Sequence, residues 1–341
     1  GGGARSMTST SGPGVSLMSE FAGLGYFAEL PGVIWDIQRV GPSTGLPTRT
    51  SQGDILSTVF LSHGDTQHVC LIPGSVGECF QFAIEALDLA EILQTPIFVL
   101  SDLDLGMNNW MSDPFPYPET PIRRGKVLTK EQLDALRGKW GRYLDVDGDG
   151  IPWRTLPGTD HHDAAYFTRG SGHDAWARYS EKPEDYKATM DRLAKKYETA
   201  KQYVPRPVID RKPGAAIGFI AFGTTDFPLQ ESRHQLAGEQ GIETSYLRLR
   251  ALPMTAEVRE FVAAHDRVYV VEQNRDGQMA DLVRLEVGDD QRKIRKVLHY
   301  TGLPCDARFI TNAVLAMERD HDLRRVACEA ERRPVAARNE D

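Results

Sequence analysis

The sequence predicts an α/β protein built from two tandem domains, each a parallel-sheet sandwich covered by helices. Short apolar runs alternate with amphipathic stretches over about the first hundred residues, and the same alternation returns from residue 215 onward. The length of 341 residues is sufficient for two separate cores. We therefore expect one domain at residues 1–205, a second domain at 206–330 and a polar tail at 331–341.

The first domain is predicted to alternate four parallel strands with two long helices. The apolar pattern places strands at residues 7–11, 33–37, 69–72 and 97–101, and helices at 14–30 and 75–93. Ser75 with Glu78 three residues later is a capping box, which predicts the start of the second helix. Pro31 and Gly32 end the first helix, and Pro96 ends the second.

Residues 103–205 lose this alternation and become rich in Pro, Asp and Gly. We interpret them as a long excursion that ends in a helix at 187–203. The α/β pattern of the second domain then starts at residue 215. Its predicted strands are 215–222, 242–249, 268–272 and 294–298, and its predicted helices are 226–240, 256–264, 278–285 and 307–317.

Charge and cysteine spacing argue against several classes of protein. A formal net charge of -8 disfavours a nucleic-acid binder, which needs a basic surface to displace counterions. The longest apolar stretches are too short for a membrane span, and no signal peptide is recognisable. The cysteines at 70, 79, 305 and 328 form no C-x-x-C pair, so no local iron-sulfur or zinc motif is expected. Free thiols fit a reducing compartment, and we expect a cytoplasmic protein.

Three polar segments follow predicted strands of the first domain, at residues 8–14, 38–54 and 102–109. Ligands of parallel sheets bind beyond the carboxyl ends of the strands, where such segments converge. The loop from Arg39 to Thr50 is the most informative, because it combines glycines and prolines with hydroxyl groups and two arginines. Either Arg39 or Arg49 could bind an anion there. The alternative interpretation is a solvated loop of turn residues.

Other motifs are incomplete. Residues 145–151 resemble the start of an EF-hand loop, but Leu156 occupies the twelfth position, where a bidentate glutamate is required. The same stretch contains Gly148-Asp149-Gly150, the opening of a thiamine-diphosphate metal motif, without the downstream asparagine that completes it. The turn at residues 223–225 follows a strand but lacks the G-x-G-x-x-G pattern of a dinucleotide site.

Three histidines, His161, His162 and His173, lie among acidic residues within a short span. They could be metal ligands, but no helical spacing places them on one face. We therefore favour a surface or interface role for this cluster.

A set of longer motifs points to a known family. The motifs are SMTSTSGPG (6–14), DIQRVGPSTGLPTRTSQGD (36–54), PGSVGECF (73–80), TPIFVLSDLDLG (95–106), FTRGSGHD (167–174) and VVEQNRDGQMADL (270–282). Together they resemble the alpha subunit of a 2-oxoacid:ferredoxin oxidoreductase of the 2-oxoglutarate type.

The resemblance implies a fold and a reaction. The first domain would be similar to the pyrimidine-binding domain of thiamine-diphosphate enzymes, and the second to the transketolase C-terminal domain. The reaction implied is oxidative decarboxylation of a 2-oxoacid to acyl-CoA and CO2, with electrons passing to ferredoxin. Thiamine diphosphate and Mg would be held mainly by a beta subunit that also carries a 4Fe-4S cluster, with coenzyme A as co-substrate. The assembly implied is a dimer of alpha-beta heterodimers.

The resemblance also assigns residues. Arg39 matches the arginine that binds the substrate carboxylate and is the expected catalytic residue. Ser43, Thr44 and Thr48 would line the same pocket, and the expected cofactor contacts are Thr10, Ser11, Gly12, Gly41 and Pro42. No metal ligand is expected in this chain.

The sequence departs from the family pattern at one point. Its alpha subunits normally start with a further domain, a Tyr-Pro-x-Thr-Pro segment and a glutamate that activates the cofactor, none of which precedes the first strand here. We expect a C-terminal portion of a longer subunit, inactive without a partner. A non-catalytic assembly module is the main alternative, and a calcium-dependent module built on residues 145–149 ranks last.

Overall fold

The computed structural model describes residues 3–166 and 168–332, which form two β-sheets flanked by helices. The strands are β1 (Met7–Thr10), β2 (Gly32–Val40), β3 (Leu46–Thr50), β4 (Val69–Leu71), β5 (Pro96–Asp102), β6 (Val208–Asp210), β7 (Ile217–Phe222), β8 (Thr244–Leu249), β9 (Ala251–Leu252), β10 (Arg267–Glu272) and β11 (Ile294–Leu298). The α-helices are α1 (Gly12–Leu17), α2 (Ser19–Phe27), α3 (Ile55–Val59), α4 (Val76–Leu93), α5 (Leu103–Met107), α6 (Lys130–Leu136), α7 (Pro183–Ala200), α8 (Asp226–Gln240), α9 (Ala256–Ala263), α10 (Gln278–Val287) and α11 (Ala307–Arg332).

The predicted α/β class with two sheets is confirmed. The first sheet has the order β1-β2-β5-β4-β9, and its first four strands are parallel. The second sheet has the order β11-β10-β7-β8-β6, in which only β6 is antiparallel. The antiparallel strands β3, β6 and β9 were not predicted, because β3 is polar and the other two have three residues or fewer.

Several helix boundaries differ from the prediction. The single helix predicted at 14–30 is divided at Met18 into α1 and α2. Helix α4 begins at the predicted cap, where the Ser75 hydroxyl accepts a hydrogen bond from the Glu78 backbone N–H. The last helix, α11, continues well beyond the predicted end at residue 317. Most of the predicted polar tail, residues 333–341, lies outside the described residues.

The two sheets share one hydrophobic core. Phe98 of the first sheet and Phe222 and Leu249 of the second belong to the same cluster of buried side chains. Strand β9 comes from the second half of the chain but pairs with β4 of the first sheet, with Cys70 opposite Leu252. The two halves therefore pack as one body. The domain division at residue 205 stays a prediction.

A buried ionic cluster fixes the excursion to the first sheet. Glu29 is fully buried after α2, and its carboxylate accepts hydrogen bonds from Arg192 and from Lys196, whose Nζ lies 2.8 Å away. Both cations project from α7. Because buried charges are tolerated only when paired, this cluster anchors α7 against the sheet.

None of the described helices combines the length and the apolar character needed to span a lipid bilayer.

Candidate functional site

The carboxyl ends of both sheets open into one cleft with a volume of about 780 Å³. Two long segments of the first half supply most of one wall, and the segment after β10 supplies the other. The lining residues are Gly12, Pro13, Ser16, Arg39, Val40, Gly41, Pro42, Ser43, Thr50, Ser51, Gly53, Asp54, Gln273, Asn274, Arg275, Asp276, Gln278, Tyr300 and Gly302. The predicted convergence of polar segments at strand ends is therefore confirmed for the first two segments.

The segment from Ser51 to Asp54 joins the two sheets beneath the cleft. The buried Gln52 side chain donates to the Phe222 carbonyl (3.2 Å) at the end of β7. The side-chain carbonyl oxygen of Gln52 accepts a hydrogen bond from the backbone N–H of Gln273 (3.0 Å). The backbone N–H of Gln52 also donates a hydrogen bond to the Gln273 carbonyl, at 2.8 Å. Gln52 thus holds this segment against the ends of β7 and β10.

Asp102 links the sheets at a second point. It is buried at the end of β5, and its carboxylate accepts a hydrogen bond from the Thr224 hydroxyl (2.6 Å). Burial raises the pKa of Asp102 to about 6, against the opposing effect of that hydrogen bond. It also caps α5 by accepting from the backbone N–H of Asp104 and Leu105. The third predicted polar segment therefore contributes an inter-sheet contact at its first residue.

The predicted loop from Arg39 to Thr50 is a β-hairpin, so that prediction is corrected. Arg39 belongs to β2 and pairs with Thr50 of β3, with a register shift before Val40. At the turn, Gly45 has a φ of +51°, and a Cβ there would lie 2.0 Å from the Val40 carbonyl oxygen. Only glycine fits this turn. The consequence is that Arg39 projects from a strand, which holds a side chain more firmly than a mobile loop does.

Five of the predicted site residues line the cleft, namely Gly12, Arg39, Gly41, Pro42 and Ser43. The other four do not line it. Thr44 and Thr48 are exposed on the hairpin. The Thr10 hydroxyl packs against α1, so close that a Cβ on Gly14 would lie 1.9 Å from it. Ser11 precedes α1, and its carbonyl accepts from the backbone N–H of Gly14 (2.8 Å). The roles assigned to all nine residues stay predictions.

Arg39 and Asp54 line the cleft, and Asp36 is a fully buried carboxyl group on the same strand as Arg39. Within the described residues, Nε of Arg39, Oδ2 of Asp54 and both carboxyl oxygens of Asp36 are buried without a hydrogen-bond partner. Burial raises the pKa of Asp54 to about 6, although the Arg39 guanidinium opposes this rise. Burial and the neighbouring Asp54 charge together raise the pKa of Asp36 to about 8. One wall of the cleft therefore carries a guanidinium group and an acid, Arg39 and Asp54, that a ligand could contact.

Asp36 and Asp54 were both missed as site residues by the sequence analysis. Asp36 lies in β2 between apolar neighbours, and a carboxyl group within a buried strand is costly without a function or a partner. The acid at position 36, within an apolar strand, could therefore have been recognised from the sequence as a candidate site residue. Asp54 closes the polar segment 38–54 and was given no role of its own.

The second half of the chain contributes residues that were also missed. Gln273, Asn274 and Arg275 directly follow β10, so the rule applied to the first domain would have found them. Arg275 pairs with Asp276, with 2.7 Å between its Nε and the carboxylate. Tyr300 follows β11 by two residues, so the same rule would have found it as well.

The acidic side chains Asp145 and Asp149 of the EF-hand-like stretch already have hydrogen-bond partners within the protein. The Asp145 carboxylate accepts hydrogen bonds from the backbone N–H groups of Gly148 and Gly150. Asp149 accepts two contacts of 2.8 Å from the Lys126 ammonium. These acids are therefore engaged in closing a surface loop.

One group of side chains has metal-ligand spacing. Candidate ligand atoms of His161, His162 and Asp163 lie within 4.8 Å of one another. However, Nδ1 of His161 accepts from the Asp163 backbone N–H (3.0 Å), and its Nε2 lies 3.2 Å from the Asp134 carboxylate. Because both ring nitrogens already have partners, a metal would have to displace one of these contacts. His173 lies apart, stacked on Tyr143 with ring centroids 4.0 Å apart.

Comparisons with known proteins give consistent similarities. Residues 1–130 match the family model described as pyruvate flavodoxin/ferredoxin oxidoreductase, thiamine diphosphate-binding. The chain is 35% identical over 289 residues to 2-oxoacid:ferredoxin oxidoreductase 2, subunit alpha, of Aeropyrum pernix, covering 83% of this chain and 43% of that protein. It is 31% identical over 301 residues to 2-oxoglutarate synthase subunit KorA of Methanothermobacter marburgensis, covering 84% and 74%.

A solved structure is similar as well. It is the 2-oxoglutarate:ferredoxin oxidoreductase from Magnetococcus marinus with 2-oxoglutarate, coenzyme A and succinyl-CoA bound. The match has a TM-score of 0.83 and 30% identity, and it covers 92% of this chain and 53% of the other. The chain spans about half the length of the first curated relatives it matches.

Proposed function

Because the chain belongs to the family of 2-oxoacid:ferredoxin oxidoreductase alpha subunits, we propose that its cleft binds a 2-oxoacid for oxidative decarboxylation. The products are acyl-CoA and CO2, and the electrons pass to ferredoxin. The favoured substrate is 2-oxoglutarate, which is named in the similar structure and in several relatives.

The observation that carries this proposal is the position of Arg39. Its side chain lines the cleft from β2, and its Nε is buried with no partner among the described residues. A guanidinium group binds a carboxylate through two parallel hydrogen bonds, and this pairing is strong where water is excluded. Arg39 is therefore the residue that holds the substrate carboxylate, and the Ser43 hydroxyl belongs to the same cleft wall. Thr44 and Thr48 join the pocket where a partner subunit covers the hairpin.

The cleft suits part of the cofactor. Its lining acids are Asp54 and Asp276, and Asp276 is already paired with Arg275. Two carboxylates of this kind are a poor set for magnesium, which prefers several oxygen ligands in octahedral geometry. We therefore assign the diphosphate and magnesium to a beta subunit that also carries the 4Fe-4S cluster. The organic rings of the cofactor would contact the cleft wall near Gly12 and Gly41. Thiamine diphosphate would supply the thiazolium ring, which takes up the electron pair left by the departing CO2.

The proposed assembly is a dimer of alpha-beta heterodimers that delivers electrons to ferredoxin. Cys70, Cys79 and Cys305 are free thiols, which fits a cytoplasmic location because disulfides are rare there.

Co-expression with the partner beta subunit tests this function. The purified complex is mixed with 2-oxoglutarate, coenzyme A and oxidised ferredoxin, and ferredoxin reduction is followed optically. We expect reduction that depends on coenzyme A and on the 2-oxoacid. A complex that assembles but reduces no ferredoxin with any 2-oxoacid would contradict the proposal. Unchanged turnover after replacing residues 40–49 by a neutral linker would favour the assembly-module alternative.

A further inference from the structure

His161, His162 and Asp163 bring three metal-binding side chains together on the excursion. Candidate ligand atoms of these residues lie within 4.8 Å of one another. Their spacing along the chain places them on no common face of an α-helix, but a short 3-10 helix, His162–Ala164, begins directly after His161. The turn holds three consecutive side chains close enough to reach one ion.

His161 is oriented by Asp134 of α6. The His161 side chain is only 5% exposed, and its Nε2 lies 3.2 Å from the Asp134 carboxylate. Its Nδ1 accepts a hydrogen bond from the backbone N–H of Asp163 (3.0 Å), so the ring proton lies on Nε2 and is donated to Asp134. A carboxylate behind one nitrogen fixes the ring of a metal-binding histidine and makes the other nitrogen a better ligand. Nδ1 of His161 is therefore the atom that is prepared for a metal.

His162 and Asp163 supply the second and third ligand atoms. Nε2 of His162 lies 3.3 Å from Oδ1 of Asp163. Two ligands bonded at about 2.0 to 2.1 Å to one tetrahedral zinc ion are about 3.3 Å apart, so these two atoms already have the required separation. The His162 ring stacks on the His161 ring, with centroids 4.4 Å apart, but its side chain is 83% exposed. The ring can therefore turn to complete the site.

We propose that His161, His162 and Asp163 bind a zinc ion, with water in the fourth position and Asp134 orienting His161. The metal replaces one hydrogen bond, that from the Asp163 backbone N–H to Nδ1 of His161. This N–H lies in the first turn of a 3-10 helix, where water can satisfy it. The contact between His161 and Asp134 is kept. None of the three ligands lines the cleft, so the inference does not depend on the proposed 2-oxoacid reaction.

The donor atoms and the local charge favour a transition metal. Two imidazole nitrogens and one carboxylate suit zinc, whereas magnesium and calcium require mainly oxygen ligands. The two rings contact two carboxylates, those of Asp134 and Asp163. Lys130 lies on the same helix as Asp134, but its ammonium pairs with Asp160 (3.1 Å). The site therefore attracts a cation, and a bound zinc ion links the excursion to α6 through Asp134.

Competition between the 341-residue chain and a chromogenic zinc indicator tests this inference. We expect the affinity for zinc to fall at least about tenfold in His162→Gln and in Asp163→Asn, because each variant loses one of three protein ligands. Asp134→Asn should also lose about tenfold or more, because His161 is then no longer oriented. His162 is exposed, so its replacement leaves the fold in place.

The control is His234→Gln, which removes an exposed histidine on α8 and should keep the wild-type affinity. Equal affinity in the wild type, His162→Gln and Asp163→Asn would overturn the proposal. An equal loss in His234→Gln, or displacement of the zinc by magnesium or calcium, would overturn it as well. Unchanged affinity in Asp134→Asn would refute the orienting role of that carboxylate.

Stability in the presence of zinc gives a second readout. An ion that binds only the folded chain stabilises it in proportion to the logarithm of the free ion concentration once the site is saturated. Urea denaturation midpoints should therefore rise with zinc in the wild type and in His234→Gln, but not in His162→Gln. A midpoint that rises equally in all three would overturn the proposal. Neither measurement involves ferredoxin, so failure of the zinc site and failure of the proposed reaction are distinguishable.

Discussion

Gly12→Ala should disturb the site through one added methyl group. The new Cβ would lie 2.6 Å from Oδ2, 2.7 Å from Oδ1 and 2.8 Å from Cγ of Asp54. Ordinary carbon contacts are about 3.5 to 4 Å, so the carboxyl group would have to retreat by roughly 1 Å. Retreat is opposed by Gln278, whose side chain donates to the Gly53 carbonyl (2.7 Å) and anchors the segment.

The magnitude follows from two opposing contributions. Overpacking of a rigid site costs about 1 to 3 kcal/mol. Replacement of glycine by alanine in a helix gains about 0.5 to 1 kcal/mol. We therefore expect Gly12→Ala to lower the free energy of unfolding by about 1 to 2 kcal/mol and to weaken 2-oxoglutarate binding.

Gly77→Ala is the matched control. Gly77 also lies in the first turn of a helix, α4, but the nearest atom to its added Cβ is the Ser75 hydroxyl at an ordinary 3.8 Å. This variant should gain about 0.5 to 1 kcal/mol. Urea denaturation followed by circular dichroism measures both variants. If Gly12→Ala proved as stable as Gly77→Ala, the close approach of Asp54 to α1 would be refuted.

Three further predictions concern buried polar groups. Glu29→Gln leaves Lys196 buried without its counter-charge and should lower the free energy of unfolding by about 3 to 5 kcal/mol; a loss below about 1 kcal/mol in urea denaturation would contradict the role of the cluster. Because the folded-state pKa of Asp36 is raised to about 8, its contribution to stability is complete below its unfolded pKa and is lost as the pH rises through about 8. Denaturation midpoints measured across that window should fall with pH in the wild type and change less in Asp36→Asn, whereas identical slopes would argue against a buried proton. Gln52→Ala removes the contact with the Gln273 backbone and should cost about 1 to 3 kcal/mol; an unchanged midpoint would show that this inter-sheet bond is dispensable.

The elements that could be predicted from sequence are those with a strong local signal. Strands β5 and β7 contain continuous apolar runs, and α4 begins at a Ser75 cap with Glu78 three residues later. Each of these elements can therefore be recognised from a few residues of sequence. Strand β3 has no such signal, since Leu46–Thr50 is a sequence of turn and polar residues that becomes a strand only by pairing with β2. β9 is two residues long and is defined entirely by its contact with β4.

The same distinction separates the site residues that could be predicted from the sequence from those that could not. The strand-end rule located the cleft and Arg39 because it needs only the order of strands along the chain. Gln52 could not be found in this way, because a glutamine in a loop carries no sign that it will bind the backbone of β7 and β10. The charge of Asp54 acts on Asp36 only when β2 and the segment after β3 fold together, so this interaction belongs to the tertiary structure.

The most direct test of the account is the effect of Arg39→Ala on kcat/KM for 2-oxoglutarate in the assembled complex, with Arg49→Ala as control. Arg49 lies on the same hairpin but is exposed on β3. Loss of the charge-assisted contact at Arg39 should cost about 2 to 3 kcal/mol, or roughly 30- to 150-fold in kcat/KM, while assembly survives. Arg49→Ala should change kcat/KM by less than about threefold. Undiminished kcat/KM in Arg39→Ala, or an equal loss in both variants, would contradict the carboxylate-binding role of Arg39.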